Sequence, residues 1–233
     1  MKRREVLVGL AAAAAVAQGC AGQRSDPVRP SEPPPSPARF TDQIALPKPS
    51  VAGTVSLEDA IQRRRSVRTF RPDPLPVGTI GQLLWAGQGV TAPDGRRAAP
   101  SAGASYPLEL YTVTAAEVMH YLPDGHRAET RATSDLRPQL KAAALDQASV
   151  GAAPLVIVVA AEPGRLSQRY GDRAGAYTDI EVGHAAQNIA LQAVANGLAS
   201  VPIAALDAPR TSMILGLPSG QTVVYLLPVG FAA

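Results

Sequence analysis

The sequence predicts a layered α+β fold, and three observations indicate it. Segments typical of helices and of strands alternate along the chain. Residues 155–160 form an unbroken apolar run, which is typical of a strand buried on both faces. Hydrophobic residues make up 46% of the 233 residues and charged residues 18%, so the chain has enough apolar material for a sizeable core.

The first twenty residues resemble an export signal. A positive stretch, Lys2 to Arg4, precedes an apolar run from Val6 to Val16 that is too short to span a bilayer. The paired arginines indicate a twin-arginine signal. Cys20, the only cysteine of the chain, follows this run as the lipid-acceptor cysteine of a bacterial lipoprotein would. The alternative is a plain signal peptide that is cleaved nearby, with Cys20 incidental.

Residues 21–52 are expected to form a proline-rich linker. Eight prolines lie between Asp26 and Pro49. Proline lacks an N–H donor and favours an extended backbone, so this segment is expected to form neither helix nor sheet. The folded domain is therefore expected to cover residues 53–233.

Two helices are expected at the start of this domain. Ser56 to Asp59 is a capping box, which predicts a helix from Leu57 to about Arg65. Residues 78–86 carry apolar positions at helical spacing and predict a second helix. A polar, glycine-containing loop should follow as far as Pro100.

The second half of the domain should alternate strands with one long helix. Residues 108–114 read as a strand. Thr178 to Glu181 is a second capping box, which predicts a helix that begins there and ends at Gly197. Two further strands, over 201–206 and 222–229, are expected on either side of a short helix after Asp207.

A cluster of arginines follows the first predicted helix. Arg64, Arg65 and Arg68 surround Ser66, and the guanidinium fork suits bidentate binding of phosphate. A loop over Pro100 to Gly103 follows about thirty residues later. Together they predict a site for one phosphate monoester, and the alternative is a solvated basic turn.

The long predicted helix carries a stripe that mixes apolar and polar residues, at positions 180, 184, 187, 191, 194 and 198. His184 and Gln187 lie within it, and buried polar groups need partners. One interpretation is a histidine satisfied in the core. The other is a face that meets a partner subunit or a ligand, approached closely because of the small residues at positions 183, 185, 186 and 190.

Four motifs resemble the FMN-dependent nitroreductase family, in the branch of peptide-azoline oxidases known as the SagB/ThcOx type. Residues 64–70 resemble its opening motif, and residues 100–111 its loop and strand. Residues 183–189 are similar to its central helix, and residues 201–205 to its proline-led loop beside the flavin. The resemblance covers about residues 56–230 and implies a layered sandwich with a central mixed sheet.

The resemblance also implies which residues serve the cofactor. Arg64, Arg65, Ser66 and Arg68 would hold the phosphate and ribityl chain of FMN. Pro100, Ser101, Ala102 and Gly103 would approach the ring, with Gln187 on the long helix beside it. In the loop that begins at Pro202, the backbone of Ile203, Ala204 and Ala205 would donate near the flavin N5. Family members are usually homodimers with FMN at the interface.

The chain departs from the family pattern at three places. The azoline oxidases use a Lys–Tyr pair, and Arg169 and Tyr170 stand there. Arginine stays protonated and cannot act as a general base, so azoline oxidation is less expected, whereas Tyr170 can still donate a proton. Ala104 stands where many relatives have Gly or Asn. The basic residue that often reaches the phosphate near the C-terminus is absent from residues 231–233.

The expected function is that of an exported FMN-dependent oxidoreductase acting on a small molecule or peptide. A net charge of +3 and 4% aromatic residues argue against nucleic-acid binding, and three scattered histidines argue against a metal site. An exported enzyme meets little NAD(P)H, which favours an oxidase or a quinone-coupled dehydrogenase. The alternatives are an inert lipoprotein binding module on the same fold and a cytosolic NAD(P)H-dependent nitroreductase.

Overall fold

The computed structural model describes residues 42–233. The predicted export signal, Cys20 and most of the predicted linker lie outside these residues. The strands are β1 Gln43–Ala45, β2 Leu108–Val113, β3 Val118–Leu122, β4 Arg127–Ala132, β5 Leu155–Ala161, β6 Ala199–Ser200 and β7 Thr222–Gly230. The α-helices are α1 Leu57–Arg63, α2 Val77–Gln88, α3 Arg137–Ala143, α4 Ala148–Ala152, α5 Gly164–Tyr170, α6 Ala174–Ala195 and α7 Ala208–Ile214.

The strands form one sheet in the order β1-β4-β3-β2-β5-β7-β6. Each pair of neighbouring strands is antiparallel. The α+β class is confirmed, but the sheet is antiparallel where a mixed sheet was expected. The reason is that β7 lies between β5 and β6 and runs opposite to both. Among residues 42–233, parallel pairing is limited to a bridge between Ser66 and Ser200.

Helices cover both faces of the sheet, which confirms the layered arrangement. On one face, α2 and α6 pack on a core that includes Leu83 and Ile189. On the other face, α3, α4 and α7 surround a core that includes Leu140 and Val150. All seven residues of β5 are buried, as expected of the central strand. No helix within residues 42–233 is both long and apolar enough to cross a membrane.

The predicted helices are present, although one of the two capping boxes is not. The Ser56 side chain accepts a hydrogen bond from the Asp59 N–H at the start of α1, as the first box predicts. Thr178 lies inside α6 instead of at its start, and its hydroxyl donates to the Ala174 carbonyl at 2.8 Å. The chain enters α6 from a 3₁₀ turn over Gly171–Arg173, so α6 needs no side-chain cap there.

Four stretches differ from the sequence expectation, and one of them is the helix α5, Gly164–Tyr170, which we did not predict. β1 lies within the predicted linker and pairs with β4, and Leu46 after it is buried, so the folded domain begins before residue 53. The segment 115–154, for which we predicted no elements, forms the β3–β4 hairpin followed by α3 and α4. Residues 201–206, predicted as a strand, contribute only one bridge, between Ile203 and Leu226.

Candidate functional site

The arginine cluster lies on an extended segment that pairs with both β6 and the C-terminal residues. The Val67 N–H donates to the Ser200 carbonyl at 3.0 Å, and Phe70 forms a bridge with Ala232. These contacts place Ser66 beside β6, from which the proline-led loop continues. The structure therefore brings together two of the four predicted motifs. We call the group formed by Arg64, Ser66, Arg68 and residues 200–205 the arginine end.

The three arginine side chains of the predicted cluster, Arg64, Arg65 and Arg68, are not equivalent. The Arg65 guanidinium folds back on its own chain and donates to the carbonyl oxygens of Gln62 at 2.9 Å and Arg64 at 2.7 Å. It therefore satisfies the C-terminal carbonyls of α1. Arg64 is half-buried and Arg68 is exposed. Neither is paired with a carboxylate in the part of the chain that the structure describes, which leaves two guanidinium groups for a phosphate.

The proline-led loop offers fewer backbone donors than expected. The Ile203 N–H donates to the Leu226 carbonyl at 2.9 Å, and its side chain is buried in the core, so Ile203 serves the fold. Pro202, Ala204 and Ala205 are exposed. Among residues 42–233, no protein acceptor takes the N–H of Ala204 or Ala205. Of the backbone N–H groups predicted to donate to the flavin, those of Ala204 and Ala205 therefore remain available.

The loop that follows Pro100 has a strained backbone. φ is +59° at Gly103, +54° at Ala104 and +47° at Tyr106. The Ser101 hydroxyl holds the turn closed by accepting the Tyr106 N–H at 2.8 Å. Left-handed conformations are unfavourable for residues other than glycine and tend to occur at functional sites.

Glu181 anchors this loop from α6, and sequence reasoning missed that role because Glu181 was read as part of a capping box. Its carboxylate accepts the Ala102 N–H at 2.8 Å, and the residue is only 4% exposed. Burial raises the pKa of Glu181, against the opposing effect of the hydrogen bond from Ala102. A buried carboxyl with a raised pKa beside a strained loop is typical of functional sites.

Arg169 and Tyr170 contact the same loop, although they lie on α5. A Cβ atom at Gly103 would lie 2.6 Å from Arg169 Nη1 and 2.8 Å from Tyr170 Oη. A side chain at this position would force Arg169 and Tyr170 to move, and the φ of +59° independently favours glycine. The structure thus brings the predicted catalytic Tyr170 to the predicted ring-binding loop. We call Ser101–Gly103, Tyr170 and Glu181 the loop end.

The arginine end and the loop end lie at opposite ends of the sheet. Ser200 pairs with Val229, which pairs with Leu155, the first residue of β5. The loop end leads into β2, whose first residue Leu108 pairs with Ala161, the last residue of β5. Six steps along a strand at about 3.3 Å each separate the two ends by about 20 Å. One protomer therefore does not bring all predicted site residues together.

The first part of the mixed stripe, on α6, lies on the outside of the protomer, whereas Leu198 at its end is buried in the core. His184 and Gln187 are exposed, and Ile180 is 54% exposed. The interpretation of His184 as a core histidine is wrong, because the core side of α6 is formed by Ala185, Ile189 and their neighbours. Ala185, Ala186 and Ala190 are buried in the protomer's own core, so only Gly183 of the predicted small residues is open to a partner.

Within residues 42–233, no group of three His, Cys, Asp or Glu side chains could hold a metal ion. His120 lies between Glu109 and Glu129, at 2.8 and 3.1 Å from their oxygens. Both of its ring nitrogens are occupied by these bonds on the face of the sheet. This triad serves the fold.

Known proteins match most of the chain. The family model described as "Nitroreductase family" matches residues 61–231. A Methanocaldococcus jannaschii protein assigned as a nitroreductase is 37% identical over 182 residues, which are 76% of this chain and 91% of that protein. A crystal structure of a protein assigned as a nitroreductase from Ralstonia eutropha has a TM-score of 0.75 at 27% identity, covering 84% of this chain and 94% of its own. The E. coli microcin synthetase McbBCD complex shares the fold, with a TM-score of 0.64 at 21% identity, over 80% of this chain and 77% of that one.

Proposed function

This chain belongs to the nitroreductase family, and from this premise we propose that it is an FMN-dependent oxidoreductase whose cofactor is held between two copies of the chain. The family assignment makes the chain an oxidoreductase of the flavoprotein type. The identity of the flavin, the dimer and the substrate are the parts that we propose. The observation that carries the proposal is the division of one set of site residues between two ends of the sheet.

The chemistry of the two ends fits the two ends of FMN. Arg64 and Arg68 have no carboxylate partner among residues 42–233, and guanidinium forks bind phosphate in a bidentate way. At the loop end, Gly103 lets Arg169 and Tyr170 pack against the loop, and its own backbone is exposed to a flat ring. When bound, FMN supplies the electron-transfer chemistry. The chain's own residues bind and orient it, and Tyr170 is placed to donate a proton to substrate at Oη.

A second copy of the chain would complete the site. The two ends lie about 20 Å apart across the sheet, so a protomer related by a two-fold axis would set its loop end against the arginine end of the first. The exposed stripe with Ile180, His184 and Gln187 is the surface that we assign to this contact. Gln187 would then approach the cofactor from the interface.

We place the chain in the SagB/ThcOx-type branch because of its Pro100 loop and its central helix sequence. Tyr170 beside Gly103 supports this, since that branch uses a tyrosine at the corresponding place. Arg169 in place of lysine leaves no general base in the pair, which argues against azoline oxidation and for another oxidation or dehydrogenation of a small molecule or peptide.

We further propose that the enzyme is exported and held at a membrane through Cys20, on the basis of the N-terminal sequence alone. In that compartment an oxidase, or a dehydrogenase coupled to quinone, is favoured over an enzyme that uses NAD(P)H. Retention of the protein in the cytoplasm would instead favour NAD(P)H as the electron donor.

The absorption spectrum of the purified protein tests the central proposal. We expect an oxidised-flavin spectrum, release of FMN on denaturation, and a dimer by light scattering. The inert binding module predicts a colourless protein that takes up no FMN on titration, and that result would refute the enzyme assignment. A monomer with FMN bound would refute the shared site while leaving the enzyme assignment intact.

A further inference from the structure

Two arginines and two tyrosines form a basic aromatic wall beside the loop end. The wall consists of Arg169, Tyr170, Arg173 and Tyr177, from the end of α5 to the first turn of α6. We propose that this wall selects substrates with a negative charge on a planar aromatic or conjugated body. This inference rests on the proposed function, because the wall lies at the same site.

The wall holds its charged groups over aromatic rings. The Tyr170 and Tyr177 rings meet edge to face, with centroids 5.1 Å apart and an interplanar angle of 82°. Arg169 Cζ lies 5.6 Å from the Tyr170 centroid, and Arg173 Cζ lies 5.4 Å from the Tyr177 centroid. Cation–π contacts at these distances orient a guanidinium while leaving its N–H groups open to an anion.

The charges of the wall are not neutralised by any residue in the described part of the chain. Arg165, one turn before Arg169, forms ion pairs with Glu109 and Glu162. Arg169 and Arg173 form no ion pair with any carboxylate among the residues from 42 onward, and both are exposed. The acidic groups nearest in sequence are Asp172 and Asp179, both exposed, and Glu181, whose carboxylate is bonded to Ala102.

The wall stands close enough to the loop end to act on a substrate bound there. Arg169 Nη1 and Tyr170 Oη both lie against Gly103, as the close approach to its missing Cβ shows. A carboxylate bound by Arg169 would therefore hold the body of the same molecule beside the cofactor that we propose on Ser101–Gly103. The tyrosine rings supply an apolar surface for a planar group.

The test compares two ligands that differ in charge and little in shape. Binding of 4-nitrobenzoate and of uncharged 4-nitrobenzamide to the FMN-loaded protein is measured by calorimetry at low salt. We expect tighter binding of 4-nitrobenzoate, and the double variant Arg169→Gln with Arg173→Gln should lose about tenfold of its affinity for that ligand alone. Arg169→Lys with Arg173→Lys should keep most of the preference, because the charge remains.

Arg210→Gln is the matched control, because Arg210 is an exposed arginine on α7, where it helps to cover the other face of the sheet. It should bind both ligands as the parent does. Equal binding of the two ligands by the parent, or an equal loss of both in the double glutamine variant, would overturn the selection of anions. The flavin content of each preparation is read first: a colourless protein refutes the proposed function together with this inference, whereas a yellow protein indifferent to charge refutes this inference alone.

Discussion

The arginine end and the loop end differ in backbone strain and in how their side chains are held, although both belong to one proposed site. At the arginine end the backbone is relaxed: none of residues 64–70 or 199–205 has a positive φ. Its Arg64 and Arg68 side chains have no carboxylate partner among residues 42–233, which leaves them available to a ligand. At the loop end the backbone after Gly103 is strained at Ala104 and Tyr106, and buried or packed side chains hold the loop in place.

This difference indicates which end sets affinity and which sets geometry. Unpaired guanidinium groups bind a charged phosphate strongly but tolerate small displacements. A loop held by Glu181 and Ser101 fixes a surface against which a flat ring can be placed. We therefore expect substitutions at the arginine end to weaken binding in a graded way, and substitutions at the loop end to remove the site.

The largest expected effect comes from separating the two ends onto different chains. The double variant Arg64→Ala with Arg68→Ala disables the arginine end. Gly103→Val disables the loop end, because valine is strained at φ +59° and its side chain would contact Arg169 and Tyr170 too closely. The double arginine variant should bind FMN about a hundredfold more weakly than the parent and Gly103→Val should bind none, so neither retains FMN at a concentration that just saturates the parent. A hybrid dimer of the two, isolated through two affinity tags, should bind FMN at about half of its sites, because one shared site is then intact.

The reverse hybrid supplies the control. A wild-type chain paired with a chain that carries all three substitutions should bind no FMN, since each shared site then has one damaged end. If the site lay within a protomer, the two results would be exchanged. Flavin content per dimer, measured by absorbance, therefore decides between the two arrangements without any assay of activity.

A smaller effect separates the arginines from one another. Arg64→Ala and Arg68→Ala should each weaken FMN binding about tenfold, the loss of one charge-assisted hydrogen bond of about 1.5 kcal/mol. Arg65→Ala should leave FMN binding nearly unchanged, because that guanidinium caps the carbonyls of α1. Fluorescence titration of FMN into the apoprotein measures this, and an equal loss in all three variants would contradict the distinction.

The contrast between the ends also explains how far the sequence could predict the molecule. The helices α1, α2 and α7 and the strands β2, β5 and β7 were predictable because local periodicity and caps specify them. The segment 115–154 was missed, since its hairpin carries polar residues such as His120 and Glu129 that are satisfied across strands. β1 was missed because an edge strand of three residues gains its stability from pairing with β4.

The site was predicted in part for a similar reason. Arg64, Ser66 and Arg68 were identifiable because their chemistry is visible in the residue types. The role of Glu181 depends on a contact with Ala102, 79 residues away in sequence. Arg65 and the Ile203 N–H are already used in hydrogen bonds within the fold, and these bonds also follow from backbone geometry. No pattern of residue types reports such contacts.

The smallest expected effect measures the strain of the loop end. Ala104 has φ +54°, a conformation that costs an L-residue about 1–2 kcal/mol and costs glycine little. Ala104→Gly should therefore raise the free energy of unfolding by about 0.5–1 kcal/mol, after the greater chain entropy of glycine in the unfolded state is subtracted. Ala116→Gly is the matched control, because Ala116 is exposed and has no positive φ, and it should lose stability slightly. Urea unfolding of the apoprotein compares the two variants, and the slope of the free energy of unfolding against urea concentration should be the same in both. Since the strain belongs to the backbone, the gain should persist without FMN, and a loss as in Ala116→Gly would show that the loop is not strained at Ala104.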